Sequence, residues 1–162
     1  MNIRKSTMND VDDIMRIIAS ARQYMASHGN ATQWIKGYPG EETIVSDIRN
    51  GDSYLITDNG AIAGIFTFII GEEPNYQVIK NGHWHYDRPY GTIHRLASAG
   101  IAPGISRVCF EYCLGKMDYI RIDTHRDNLS MRSAIERFGF KECGIVYMRN
   151  GTERIAYDYL RS

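Results

Sequence analysis

The feature that most constrains this chain is a strand, a small-residue loop and a helix that follow one another between residues 90 and 110. Residues 90–95 (YGTIHR) predict a strand, and residues 96–104 (LASAGIAPG) are rich in Gly, Ala and Pro. Apolar residues then recur at helical spacing from Ile105 to Cys113. The first N–H groups of a helix have no partner within it, so such a loop can present several donors to a phosphate. The same pattern is also typical of an ordinary turn, and the loop alone leaves both interpretations open.

The segments around this unit predict a mixed sheet with helices on both faces. Periodicity and turn signals predict a strand at 3–5, a helix capped by Thr7 and running to 25, and a helix at 41–50. They predict next a hairpin of strands 54–57 and 61–70. After the central unit they predict a strand at 119–124, a helix from 125 to 138, and a hairpin of strands 142–148 and 154–159. The strand at 119–124 follows a crossover helix, so we expect it to pair in parallel with the strand at 92–97. The order βααββ–βα–βα–ββ predicts an α/β fold (α+β in some schemes) in one domain, residues 1–162.

The composition argues against several classes of partner and indicates a compartment. The 19 basic and 19 acidic residues give no formal net charge, which argues against nucleic acid or an anionic membrane as partner. No apolar run approaches the roughly 20 residues that span a bilayer, and the first residues lack the apolar core of a signal peptide. Three cysteines without a CxxC motif are typical of reduced thiols, so we expect a cytoplasmic protein.

Two motifs and the order of elements resemble the GCN5-related N-acetyltransferases (GNATs), bacterial members in particular. The acetyl-CoA loop of that family, Gln/Arg-x-x-Gly-x-Gly/Ala, aligns with IAPGIS at residues 101–106. A second pattern, Asn-x-x-Ala-x-x-x-Tyr-x-x-x-Gly-Phe, aligns with residues 128–140, where Asn128, Gly139 and Phe140 match. The resemblance covers nearly the whole chain. It implies the GNAT fold, in which the sheet is mostly antiparallel around a central, splayed parallel pair of strands.

The sequence departs from the usual form of these motifs. Ile101 stands in place of Gln or Arg, Ser106 in place of Gly or Ala, and Pro103 lacks an N–H group. Ile135 replaces a tyrosine that many members use as the general acid toward the departing thiolate. The substitutions leave a second interpretation open, a catalytically weak or inactive protein of the same fold that binds or senses CoA. A generic nucleotide-binding domain is disfavoured, because neither a Walker A nor a dinucleotide-binding motif occurs.

The resemblance implies an enzyme that transfers the acetyl group of acetyl-CoA, with CoA as product, by direct attack of an amine. The acceptor would be a primary amine of a small molecule or peptide. Exposed strand edges would also permit a homodimer. By resemblance the expected cofactor-binding residues are Leu96, Ala97, Ser98, Ile101, Ala102, Gly104, Ile105, Ser106, Arg107 and Asn128.

The reaction needs a base, because only about one alkyl amine in a thousand is neutral at pH 7. The candidates are His94 and the carboxylates of Glu72 or Glu73, of which we favour Glu72 beside His94. We expect His94 and Leu96 to share one face of the strand, since they are two residues apart. Tyr157, or failing it Tyr147, is the candidate acid. Packing is the competing explanation for the histidine and the tyrosines, and a solvated strand end is the competing explanation for the carboxylates.

Aromatic residues in two long loops are the candidates for the acceptor pocket. We expect Trp34, Tyr38, Trp84 and Tyr86 to form an aromatic wall that suits an apolar or cationic amine. Anchoring of the loops to the core would explain the same residues. His83 and His85 lie on one side of an extended segment, but the sequence offers no clear third ligand, so we predict no metal site.

Overall fold

The computed structural model describes residues 1–35 and 37–162, and the predicted order of elements is confirmed. The strands are β1 (Asn2–Lys5), β2 (Ser53–Asp58), β3 (Ala61–Ile70), β4 (Gly91–Ser98), β5 (Tyr119–Thr124), β6 (Lys141–Tyr147) and β7 (Glu153–Leu160). The helices are α1 (Val11–Ser27), α2 (Glu41–Arg49), α3 (Ile105–Leu114) and α4 (Leu129–Phe138). Short 3-10 turns at Met8–Asp10 and Pro74–Tyr76 precede α1 and follow β3.

The seven strands form one mixed sheet in the order β1-β2-β3-β4-β5-β7-β6. Within the described chain, β4 and β5 are the only parallel neighbours, which confirms the predicted pairing through α3. The last strand, β7, lies between β5 and β6. The predicted mixed, mostly antiparallel α/β sheet is therefore confirmed.

Alternate residues of the central strands pack against helices on opposite faces. Leu55 and Ile65 contribute to a core beneath α1 and α2, whereas Ile56 and Phe66 contribute to a core beneath α3 and α4. All four side chains are at most 3% exposed. Since burial of such a side chain is worth about 1.5–3 kcal/mol, the two cores fix which face each strand residue occupies.

The parallel strands β4 and β5 separate soon after they begin. Their register covers only Gly91–Ile93 of β4, opposite residues 120–122 of β5. A β-bulge follows in β4, where Arg95 and Leu96 face the single residue Phe66 and Arg95 adopts φ 53°. The rest of β4 pairs with β3 alone, so its other edge borders a gap between the strands.

The bulge changes which residues share a face of β4. Ile93 and Leu96 both pack beneath α3, although they are three residues apart. The expectation that His94 and Leu96 share a face is therefore wrong, because the inserted residue breaks the alternation.

No helix in the described ranges, 1–35 and 37–162, is long and apolar enough to cross a membrane.

Candidate active site

The gap between β4 and β5 opens into two adjoining cavities of about 440 and 410 Å³. Four residues line both of them, namely Met25, Leu96, Asn128 and Met131. The first cavity extends toward His94 and Asp123, and the second toward Gly100 and Ser106 at the start of α3. The two cavities therefore form one groove, which we call the β4 groove, from the strand bulge to the N-terminus of α3.

The N-terminus of α3 presents a set of unpaired donors at one end of the β4 groove. The first helical backbone bond runs from the Val108 N–H to the Gly104 carbonyl. No hydrogen bond within the described ranges involves the N–H groups of residues 101, 102 and 104–107. Gly104 precedes the helix with φ +78°, a conformation that strains other residues, and a Cβ there would project into open space. Such donors at a helix start fit a phosphate group.

The cofactor-binding residues predicted in this loop have different placements. Ile105 and Ser106 line the second cavity. Ile101 is exposed, and the Arg107 guanidinium forms an ion pair with Glu111 (2.7 Å) and lines neither cavity. Holding a phosphate at this end would therefore depend on backbone N–H groups rather than on the Arg107 side chain.

The free edge of β4 supplies further backbone groups along the β4 groove. The Ala99 N–H donates to the Ala63 carbonyl, so it points toward β3. Backbone direction alternates along a strand, and the N–H groups of Ser98 and Leu96 consequently point toward the gap. These are two of the backbone positions predicted to hold an extended ligand, and Ala97 between them points to β3.

Asn128 lies beside both cavities but already has partners. Its side-chain oxygen accepts from the Met131 N–H (3.3 Å) at the start of α4, and its amide nitrogen donates to the Gln33 side-chain oxygen (3.0 Å). That Gln33 oxygen also accepts from the Thr124 hydroxyl and from the His125 N–H. Gln33 thereby fixes the loop after α1 to the end of β5, where the loop forms one wall of the groove.

A partly buried cluster of titratable groups lies at the opposite end of the β4 groove. The His94 Nε2 atom is 3.3 Å from Glu73 Oε1, and the two side chains are 18% and 16% exposed. The other carboxylate oxygen of Glu73 accepts from the Asn75 N–H (2.8 Å). Burial alone would raise the pKa of Glu73, but the hydrogen bonds from His94 and Asn75 outweigh it and lower the pKa. Glu73 is therefore ionised at neutral pH.

Asp123 faces this cluster from the end of β5. Its carboxylate accepts from the Tyr76 hydroxyl (2.5 Å), and the Arg154 guanidinium lies 3.9 Å away. Burial raises the pKa of Asp123, while the hydrogen bond from Tyr76 opposes the rise. Burial beside this carboxylate also raises the pKa of Tyr76 well above its usual value. The sequence reasoning missed Asp123, Tyr76 and Arg154, since nothing local shows that β5, β7 and the loop after β3 converge.

Two predicted catalytic residues lie away from the cluster. Glu72 is exposed and lines a different cavity, so the carboxylate that meets His94 is its neighbour Glu73. Tyr157 is fully buried beneath α4, where its hydroxyl contacts Arg132 (3.2 Å) and Glu136 (3.0 Å) and lines neither cavity of the groove. Burial raises the pKa of Tyr157 to about 12. Neither Glu72 nor Tyr157 therefore lines the β4 groove.

The predicted aromatic wall divides between two places. Trp34 and Tyr38 line the first cavity of the β4 groove. Trp84 and Tyr86 line a separate cavity beside β4 and β5, where the Arg121 guanidinium lies 4.2 Å from the Trp84 ring. Trp84 and Tyr86 are therefore not part of the wall, because the loop of residues 77–90 folds away from the groove toward β6.

The splayed strand pair and the unpaired donors at the start of α3 suit a phosphate-bearing ligand between the central strands. Comparison with solved structures identifies the class. An acetyltransferase of the GNAT family from Streptococcus agalactiae is 30% identical, with a TM-score of 0.91, over 99% of this chain and 95% of that one. The chain therefore belongs to the GNAT family of acetyltransferases, as the two motifs indicated.

More distant structures share the fold. A GNAT acetyltransferase from Listeria monocytogenes is 18% identical over 98% of this chain and 94% of that one, with a TM-score of 0.70. The ribosomal-protein-S18-alanine N-acetyltransferase from Escherichia coli is also 18% identical, over 99% of this chain and 94% of that one, with a TM-score of 0.61. No protein-family model matches the sequence, and no curated protein matches it.

Proposed function

We propose that this protein is an N-acetyltransferase that moves the acetyl group of acetyl-CoA to a primary amine of a small molecule or peptide. The observation that carries the proposal is the continuity of the β4 groove. It joins the unpaired N–H groups before and within the first turn of α3 to the partly buried pair of His94 and Glu73. When bound, acetyl-CoA supplies the acetyl thioester, and CoA is the product.

Backbone groups account for binding along the β4 groove. The N–H groups of Gly104, Ile105 and Ser106 would hold the pyrophosphate at the positive end of the α3 dipole. The N–H groups of Ser98 and Leu96 would bond the pantetheine arm along the free edge of β4, with the one at Leu96 available to polarise the thioester carbonyl. Backbone donors depend little on side-chain identity, which explains how the loop tolerates Ile101 and Pro103.

The His94 imidazole is the proposed base. Its Nε2 atom faces the ionised Glu73 carboxylate, which places the ring proton on Nε2 and leaves the lone pair of Nδ1 to accept a proton. His94 would take the proton of the incoming ammonium group directly or through one water. Glu73 would stabilise the imidazolium that forms, and the carboxylate of Asp123 would favour the approach of a cation.

The acceptor end of the groove combines aromatic and sulfur-containing side chains with paired charges. Trp34 and Tyr38 line it together with Met148. The Arg95 guanidinium also lines it, but two hydrogen bonds of 2.8 Å to Asp47 neutralise its charge. A primary amine on an apolar or aromatic body fits this lining best. The Escherichia coli protein of the same fold is named a ribosomal-protein-S18-alanine N-acetyltransferase, which supports keeping peptides within the proposal.

A second candidate function is binding of CoA without efficient catalysis. Ile135, which stands at the motif position of the acid tyrosine, is fully buried in the core beneath α4. Protonation of the leaving thiolate would therefore come from water, and a slow enzyme or a CoA-binding protein is the alternative that this substitution favours.

A thiol-release assay tests the proposal. The purified protein is given acetyl-CoA with a panel of apolar, aromatic and peptide amines, and free CoA is measured while calorimetry measures acetyl-CoA binding. We expect release with at least one amine, and we expect His94→Ala to lower kcat by about 100-fold while leaving acetyl-CoA affinity within threefold. Tight binding without release from any amine would favour the second candidate. No binding would contradict both.

A further inference from the structure

A cluster of three metal-binding side chains lies outside the β4 groove, beside the β6 strand. The His85 Nδ1 atom is 2.6 Å from Asp158 Oδ1 and 3.3 Å from Cys143 Sγ. The donor atoms of all three residues lie within 4.8 Å of one another. Asp158 and Cys143 are 2% and 6% exposed, whereas the His85 side chain is 34% exposed. The cluster is thus open to solvent on its histidine side only.

Close backbone packing brings these residues together. The segment before His85 adds to the edge of β6 through paired bonds between Lys80 and Ile145, and through the His83 N–H to the Cys143 carbonyl (2.9 Å). A Cβ at Gly82 would lie 1.9 Å from the Cys143 carbonyl oxygen, so only glycine permits this approach. Sequence alone gave two histidines without a third ligand, and this packing supplies two further ligands from β6 and β7.

The carboxylate of Asp158 is oriented by other donors. Its Oδ2 atom accepts from the Tyr119 hydroxyl (2.7 Å) and from the His85 backbone N–H (2.9 Å). These two bonds leave Oδ1 directed at the His85 ring and the Cys143 sulfur. Hydrogen bonds that hold a carboxylate in this way are typical of ligands in metal sites.

We propose that His85, Cys143 and Asp158 form a zinc-binding site, with water as the fourth ligand. One nitrogen, one sulfur and one oxygen are the donors that Zn²⁺ takes in proteins. In a tetrahedral zinc site with bonds of about 2.0–2.3 Å, the ligand atoms are about 3.3–3.6 Å apart. The sulfur–nitrogen separation already matches this spacing, and the His85–Asp158 pair needs to open by about 0.7 Å.

Zinc binding exchanges protons for the metal. The Cys143 thiol loses its proton to solvent as the zinc–sulfur bond forms. The His85 ring keeps its single proton but moves it from Nδ1 to Nε2, and Nδ1 then binds the metal. The Asp158 carboxylate gives up the hydrogen bond from His85 and binds zinc through Oδ1. One proton is released for each ion bound, so affinity rises with pH.

The site would stabilise a loop that reaches the β4 groove. Trp84, next to His85, donates from its indole nitrogen to the Tyr76 carbonyl (3.0 Å), and Tyr76 donates to Asp123 in the groove. A metal on His85 would therefore tie this loop to β6 and β7. We expect bound zinc to raise the melting temperature of the protein.

Cobalt titration tests the site, because Co²⁺ replaces Zn²⁺ in such sites and a cobalt–thiolate bond gives a near-ultraviolet charge-transfer band. The full chain is freed of metal with a chelator and titrated with Co²⁺ and then with Zn²⁺. We expect one Co²⁺ per chain, the charge-transfer band, and its loss as Zn²⁺ displaces Co²⁺. Absence of that band in the unaltered protein would overturn the proposal without any variant.

Variants then identify the ligands. Cys143→Ser should abolish the band and weaken zinc binding by at least about 100-fold, and Asp158→Asn should weaken it by about 10-fold or more. His83→Gln is the matched control, since its ring lies 6.0 Å from that of His85 and outside the cluster. We expect the control to bind like the unaltered protein and His85→Gln to lose affinity. Equal losses in the two histidine variants would show a surface histidine pair and would refute the site.

Discussion

Replacement of Glu73 by glutamine tests the proposed base most sharply. The Glu73 carboxylate lies 3.3 Å from the His94 Nε2 atom, and both side chains are mostly buried. Two unit charges at this separation attract by about 5 kcal/mol at an effective dielectric constant of about 20. Solvent at the mouth of the groove reduces this value, and a loss of about 2–3 kcal/mol corresponds to roughly 30- to 150-fold in rate. We therefore expect Glu73→Gln to lower kcat by about 100-fold with an amine acceptor.

The assay is steady-state CoA release across pH, with acetyl-CoA affinity measured in parallel. Since hydrogen bonds lower the pKa of Glu73, its charge is present throughout the neutral range, and the deficit should persist there. Glu72→Gln is the matched control, because this neighbour is exposed and faces another cavity, and its kcat should stay within twofold. A Glu73→Gln rate within threefold of normal, or an equal loss in Glu72→Gln, would refute the reasoning.

Three further predictions concern binding and stability. Gly104→Val should abolish acetyl-CoA binding in calorimetry, since a β-branched residue at φ +78° disturbs the loop whose N–H groups would hold the phosphates. Retained affinity would show that the loop is not the phosphate site. Tyr157→Phe should leave kcat within twofold but lower the free energy of unfolding by about 1 kcal/mol, because the Tyr157 hydroxyl donates a hydrogen bond to Glu136 beneath α4. A large loss of kcat would instead support Tyr157 as the acid. The hydrogen bond from Arg4 lowers the pKa of Asp10 to about 2 in the folded protein, whereas its unfolded pKa is about 4. The ionised carboxylate therefore stabilises the fold fully above about pH 4, and this stabilisation is lost as the pH falls through about 2. Asp10→Asn should therefore cost about 1 kcal/mol in urea unfolding at pH 7, and a cost that does not shrink between pH 4 and pH 2 would contradict this account.

Local patterns predicted the fold because each element carries its own signals. The hairpin turn at residues 58–60, the glycine at 139 and the helical spacing after Gly104 determine where elements begin and end. The parallel pairing of β4 and β5 followed from the crossover helix between them. The position of β7 between β5 and β6 depends on side-chain packing across the whole sheet, and no local pattern encodes it.

The candidate site was less predictable for the same reason. The strand–loop–helix unit indicated the position of Gly104, the resemblance implied the roles of Ser98 and Leu96, and all three remain predictions as binding positions. The choice between Glu72 and Glu73 was not predictable, because it depends on how the chain turns after β3. The bulge at Arg95 likewise reverses the direction of side chains near His94, and no glycine marks it in the sequence.

A structure of the protein with CoA is the most direct test of the central claim, that the β4 groove joins a cofactor site to a catalytic cluster. The account predicts the pyrophosphate at the N–H groups of residues 104–106, the pantetheine arm along Leu96 and Ser98, and the sulfur directed toward His94. CoA bound elsewhere, or with its sulfur pointing away from His94 and Glu73, would contradict it.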